Sequence, residues 1–141
     1  MRHEIGATSV DPRSRNDCTV RAVANAWGMP YDEAAQVCKK HGRKRINSGM
    51  KGTAVMEMLT NLGARRMPLH GSKVWITLNV LDSTRTYLVL IPGHIFTVRN
   101  GVVLDCGDII RWTRRFNRKP VLGLWELPQA SPVPEQLNLF S

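Results

Sequence analysis

Three side chains in this chain have the types and order that cysteine-based nucleophilic chemistry requires. Cys18 stands in Asn16-Asp17-Cys18-Thr19-Val20-Arg21, His94 opens His94-Ile95-Phe96-Thr97-Val98, and Asp105 closes Val103-Leu104-Asp105. In such chemistry a thiol attacks as its thiolate, an imidazole takes the thiol proton, and a third group holds the imidazole in place. Any chain of 141 residues contains these residue types somewhere, so their local settings carry the argument.

Each setting depends on the element that must present it. Val20, Val23, Ala24 and Trp27 recur at helical spacing, which predicts a first helix from about Cys18 to Trp27. Asn16 or Asp17 is placed to cap it and Gly28 to end it. Cys18 then lies in the first turn, where unpaired N–H groups and the positive dipole end favour a thiolate. Lowering a thiol pKa by two units takes about 2.7 kcal/mol, more than a helix terminus usually provides, so a neighbouring imidazolium has to supply the rest. Downstream, Asn100-Gly101 between two apolar runs is a strong hairpin signal. The hairpin folds His94, at the start of one strand, back towards Asp105, at the end of the other. Each residue also has a plainer reading: Cys18 as a small buried apolar residue, His94 as a turn residue after Pro92-Gly93, Asp105 as a strand end. Asp108 is an alternative to Asp105, and Cys106, on the opposite strand face, is expected to be structural.

The remaining pattern fixes the fold class. Residues 1–16 are polar and read as an extended lead-in. A second helix is expected from about Tyr31 to His41, with Cys38 on its core face and Gly42 as its stop. A third runs from a Thr53 cap through Leu62, with Val55, Leu59 and Leu62 inward and Gly63 closing it. Residues 42–52 form a basic loop without period. A short strand near 66–69 and a brief helix over 77–81 follow. Strands are predicted over 87–91, 95–98, 102–104 and 120–127. Helices first and antiparallel strands second is an α+β arrangement: N-terminal helices packed on a small antiparallel sheet. His41 and His70 read as surface residues.

A cysteine heading the first helix, followed by a His-strand and an Asp-strand in a small antiparallel sheet, resembles the papain-like cysteine peptidase superfamily. It is most similar to the compact branch of bacteriocin-leader peptidases and to small phage-encoded proteins that begin Asn-Asp-Cys-x-x-Arg-Ala. The likeness covers roughly residues 14–127 and implies Cys18 as nucleophile, His94 as base and Asp105 as its orienter. Those peptidases carry a glutamine several residues before the cysteine that stabilises the oxyanion. Here that stretch is Asp11-Pro12-Arg13-Ser14-Arg15, which leaves Asn16 and the Cys18 N–H as the available donors.

Composition narrows the setting. Hydrophobic residues make up 43% of the chain, enough for one packed domain, here residues 1–127. No apolar run reaches the roughly 18–20 residues that span a bilayer. The start Met1-Arg2-His3-Glu4-Ile5-Gly6 has no apolar signal-peptide core, so a cytosolic protein without membrane association is expected. Three cysteines (Cys18, Cys38, Cys106) make a disulfide framework unexpected, and four scattered histidines do not build a zinc site. No metal or cofactor is expected. The formal charge of +9 favours polyanions, but aromatic residues are only 6% of the chain, few for a single-strand stacking platform. Nucleic-acid binding therefore ranks third.

Residues 128–141 are a proline-rich tail ending Gln136-Leu137-Asn138-Leu139-Phe140-Ser141. The pentapeptide Gln136 to Phe140 resembles the motif by which bacterial polymerases and repair proteins dock on the sliding clamp. By that likeness Leu137, Leu139 and Phe140 enter an apolar groove and Gln136 hydrogen-bonds at its rim. The leading expectation is a peptidase or amide hydrolase acting on a protein or peptide, tethered to the clamp and encoded by a phage or mobile element. The alternative is a catalytically weak or inactive relative that binds a host replication factor.

Overall fold

The computed structural model describes residues 2–9, 11, 13, 16–69, 73–105 and 116–128. Four helices and six strands follow in the order β1 (Arg2–Ile5), α1 (Cys18–Trp27), α2 (Tyr31–Lys40), α3 (Gly52–Asn61), β2 (Arg65–Arg66), α4 (Val74–Leu78), β3 (Thr86–Ile91), β4 (His94–Arg99), β5 (Val102–Asp105) and β6 (Gly123–Glu126). The strands form one sheet in the order β1-β5-β4-β3-β6-β2. This is an α+β fold.

The sheet is covered on both faces, which explains the near-continuous apolar run of β3. Leu88, Ile95 and Trp125 face α1, α2 and α3, joining Val20, Val23, Ala34, Cys38, Met58 and Leu59. Tyr87, Val89, Ile91, Phe96 and Val98 face the other way, onto Val74, Leu78 and Phe116. Alternate residues of a strand point to opposite faces, so a strand buried on both must be apolar throughout.

Two tight hairpins set the register around His94. Asn100 and Gly101 both have positive φ, 52° and 75°, the two-residue loop conformation that Asn-Gly favours. Ile91 pairs directly with His94, so Pro92-Gly93 is also a two-residue loop. Gly93 has φ 73° there, a conformation that residues with a Cβ seldom adopt. In the sequence Pro92-Gly93 reads only as a strand stop; in the fold it is the turn that starts β4 at His94.

Several expectations are corrected. The lead-in contains β1, which pairs parallel with β5, Arg2 opposite Val102 through Ile5 opposite Asp105; the sheet is thus mostly, not wholly, antiparallel. The strand expected over 66–69 shrinks to Arg65–Arg66 at an edge. The last strand is shorter than 120–127 and inserts between β3 and β2. The brief helix begins earlier than residue 77, because Val74 and Leu78, one turn apart, supply its buried face. Thr53 lies inside α3, whose cap position is Lys51. Asp17 holds the cap position of α1 without a side-chain cap bond. Its carboxylate instead accepts from the Tyr31 hydroxyl at 2.8 Å and from Arg21 at 3.3 Å.

The basic loop is not uniformly solvated either. Arg43 is buried, with its guanidinium on the carbonyls of Ile46 and Ser48 at 2.6 and 2.8 Å. His41 is half-buried, its Nδ1 bonded to the Val37 carbonyl at 2.8 Å. Among the described residues no helix is long and apolar enough to cross a membrane, and no group of three or more His, Cys, Asp or Glu is placed to hold a metal ion.

Candidate active site

The first turn of α1 meets the start of β4, because α1 lies across β4. Thr97, fully buried, donates its hydroxyl to the Ala22 carbonyl at 2.7 Å and so ties mid-helix to mid-strand. A buried hydrogen bond of this kind is expensive to leave unmade, which fixes the helix against the strand. With that point pinned, Cys18 and His94 fall at the same end of the sheet, and the thiol is hydrogen-bonded to the imidazole.

The half-buried Cys18 thiol is pulled in both directions. Burial, the largest single influence, pushes its pKa up. The hydrogen bond and charge of His94, the Ile95 N–H and the Thr19 hydroxyl pull it down, and their sum prevails. The thiol therefore ionises below its ordinary value, the direction a nucleophile needs. Cys38 shows burial without these partners: it is fully buried and its thiol is pushed up to about 12.

The imidazole is held by a residue that sequence reasoning did not single out. Phe116 stacks on His94 with ring centroids 4.4 Å apart and planes 7° from parallel. Phe116 is buried, so its ring closes one face of the imidazole from water. Its only sequence signal is an apolar aromatic at the end of the basic run Arg114-Arg115-Phe116.

Cys18 and His94 open into a cleft of about 310 Å³ whose other walls include Asn16, Gly49, Met50 and Leu122. Asn16 lies at its edge in a left-handed conformation, φ 50°, which asparagine tolerates better than most residues. Its Nδ2 donates to the Asn47 carbonyl at 2.9 Å. That bond engages one of the two amide hydrogens and fastens the segment before Cys18 to the loop over residues 43–50.

Asp105 ends β5. Thr97 faces Leu104 in the ladder, so the backbone of Asp105 is level with that of Phe96, two residues along β4 from His94. The Asp105 side chain lies outside the described structure, as do Cys106, Asp108, His70 and the tail residues Gln136, Leu137, Leu139 and Phe140. The structure thus brings together Cys18, His94 and Asn16 from the sequence-derived set.

Compared with protein-family profiles, curated proteins and solved structures, the chain finds no match in any of the three.

Proposed function

We propose that this chain is a cysteine peptidase or related amide hydrolase of papain-like kind, and that it works in the cytosol on protein or peptide substrates. The observation that carries this reading is the Cys18 thiol, at a helix N-terminus and in an open cleft, hydrogen-bonded to the His94 imidazole. His94 takes the thiol proton and the thiolate attacks the amide carbonyl carbon. The C–N bond breaks as the imidazolium returns its proton to the departing amine, leaving a thioester. Water, deprotonated by His94, then attacks the thioester, and the carboxylic acid and free thiol are released. The Cys18 N–H and the second Asn16 amide hydrogen are the donors for the oxyanion, and Asp105 is the orienter of His94. Apolar walls at Met50, Val55 and Leu122 favour substrates with an apolar side chain beside the scissile bond.

The test is hydrolysis of a fluorogenic peptide library by the parent and by Cys18→Ala. Loss of all turnover in the variant is expected; hydrolysis that continues in Cys18→Ala overturns the reading. Asn16→Ala should lower kcat by roughly 10²-fold as an oxyanion donor, whereas a change of only a few-fold confines Asn16 to fastening its loop.

A second reading is favoured by the Asn16–Asn47 bond, which engages the one side-chain amide available to the oxyanion. In that reading the chain keeps the site but binds a host replication factor without turnover. Both readings use the tail as a sliding-clamp ligand, a proposal resting on the peptide Gln136 to Phe140 alone, and fit a phage or mobile-element origin. Pull-down of a bacterial clamp that is lost on L139A/F140A, with hydrolysis intact, supports a tethered enzyme.

A further inference from the structure

Away from the cleft, Trp75 is 47% exposed although both neighbouring core positions of its short helix, Val74 and Leu78, are buried. An exposed indole is a large apolar surface left in water. Around it the fold assembles an open pocket of about 430 Å³ lined by Lys73, Trp75, Asn117 and Arg118. The two walls are joined by their backbones. Lys73 is bridged to Pro120, the Val74 N–H donates to the Lys119 carbonyl at 3.0 Å, and the Trp75 N–H to the Asn117 carbonyl at 3.1 Å. Val74, Phe116 and Val121 anchor both walls in the core below. The indole, the amide and the two cations are therefore presented on preformed backbone.

Among the described residues neither Lys73 nor Arg118 is in an ion pair, and no carboxylate lines the pocket. The five residues before Phe116 add Arg111, Arg114 and Arg115 to the same stretch of sequence, in a chain of formal charge +9. We propose that this pocket is a binding site for single-stranded nucleic acid, with one base stacked on Trp75, the Asn117 amide at its edge, and Lys73 and Arg118 on the flanking phosphates. An acidic peptide would satisfy the two cations but leave the indole unused. A base with its phosphates satisfies all four groups, and stacking on an aromatic ring is indifferent to sequence. The volume suits one nucleotide-sized group. The sequence Arg111-Trp112-Thr113-Arg114-Arg115-Phe116-Asn117-Arg118-Lys119 already interleaves aromatic and basic residues; the fold adds Trp75 to them by placing residues 73–75 against residues 117–120.

The test is fluorescence anisotropy of a labelled short oligothymidylate with the full chain, at low and at physiological salt. Trp75→Ala should weaken binding at least about fivefold while Trp75→Phe retains it, because the base–aromatic stack is the specific element. Lys73→Ala/Arg118→Ala should lower the dependence of log affinity on log salt by roughly 1.4, about 0.7 for each phosphate of a single strand no longer neutralised. Thermal unfolding midpoints matching the parent show that the exposed substitutions leave the fold intact. No oligothymidylate binding at low salt, equal affinity of Trp75→Ala and the parent, or equal competition by polyglutamate would each overturn the proposal, the last assigning the patch to acidic protein.

Discussion

Cys18 and Cys38 lie on consecutive helices, and both border the same apolar cluster. One is half-buried in the first turn of α1 and ionises below its ordinary value; the other is fully buried near the end of α2 and is pushed up to about 12. Burial raises both. What separates them is the set of groups that meets the sulfur: an imidazole, an N–H and a hydroxyl at Cys18, hydrocarbon for the most part at Cys38. The Arg43 charge lowers Cys38 without offsetting its burial. The difference between the two sulfurs is made by what the fold places beside them, and at Cys18 the imidazole is delivered by a two-residue turn that starts β4 at His94.

The widest gap between the two thiols should appear in alkylation. At pH 7 a thiol with a pKa of about 12 is ionised in roughly one molecule in 10⁵, before its lack of access is counted. Iodoacetamide followed by peptide mass mapping should therefore label Cys18 faster than Cys38 by about 10³-fold or more. Comparable rates at the two positions would remove the distinction on which the site rests.

Replacing the base should collapse the distinction from the other side. In His94→Gln the main influences that lower the Cys18 pKa disappear while burial, the largest and opposite one, remains. The sign is fixed: the pH of half-maximal labelling, lowered from the ordinary thiol value in the parent, should move upward past that value. Any peptide hydrolysis should fall by about 10²–10⁴-fold with loss of general-base catalysis. A labelling midpoint that stays put in His94→Gln would mean that the imidazole does not set the thiol's charge.

The two cysteine environments are unequally legible in the sequence. α1 is readable because its apolar stripe, its glycine stop and its polar entry agree locally, and Cys38 follows from the same periodicity in α2. The Asn100-Gly101 hairpin is equally readable, since those residues fit the positive φ its loop demands. Parallel pairing of β1 with β5 is hidden, because a short strand of alternating charge (Arg2, Glu4) carries no apolar pattern and its partner is about a hundred residues away. Arg43 reads as a solvated cation because nothing in a basic run distinguishes the one guanidinium that folds back onto carbonyls. Phe116 against His94 is a meeting of residues with no shared period, made where the chain passes behind β4. Such neighbours come from packing rather than from spacing, and spacing is all that a single sequence offers.

Phe116 gives the smallest and most discriminating variation. Its ring is parallel to the imidazole at 4.4 Å, a stacked geometry, and such aromatic pairs contribute about 0.5–1.5 kcal/mol beyond buried area. Phe116→Leu keeps an apolar side chain of similar size and removes the flat face, so the imidazole gains rotational freedom. As a positioning residue, Phe116 should change kcat by about two- to twelvefold, with little change in KM. Met58→Leu, a comparable exchange in the cluster that holds Cys38, is the matched control. It should cost less than about 1.5 kcal/mol of stability and leave hydrolysis and Cys18 labelling untouched. If both variants lower the unfolding midpoint alike and neither alters kcat, Phe116 is core packing that happens to lie on a histidine. If only Phe116→Leu slows turnover, the stacked ring belongs to the machinery that makes Cys18 differ from Cys38.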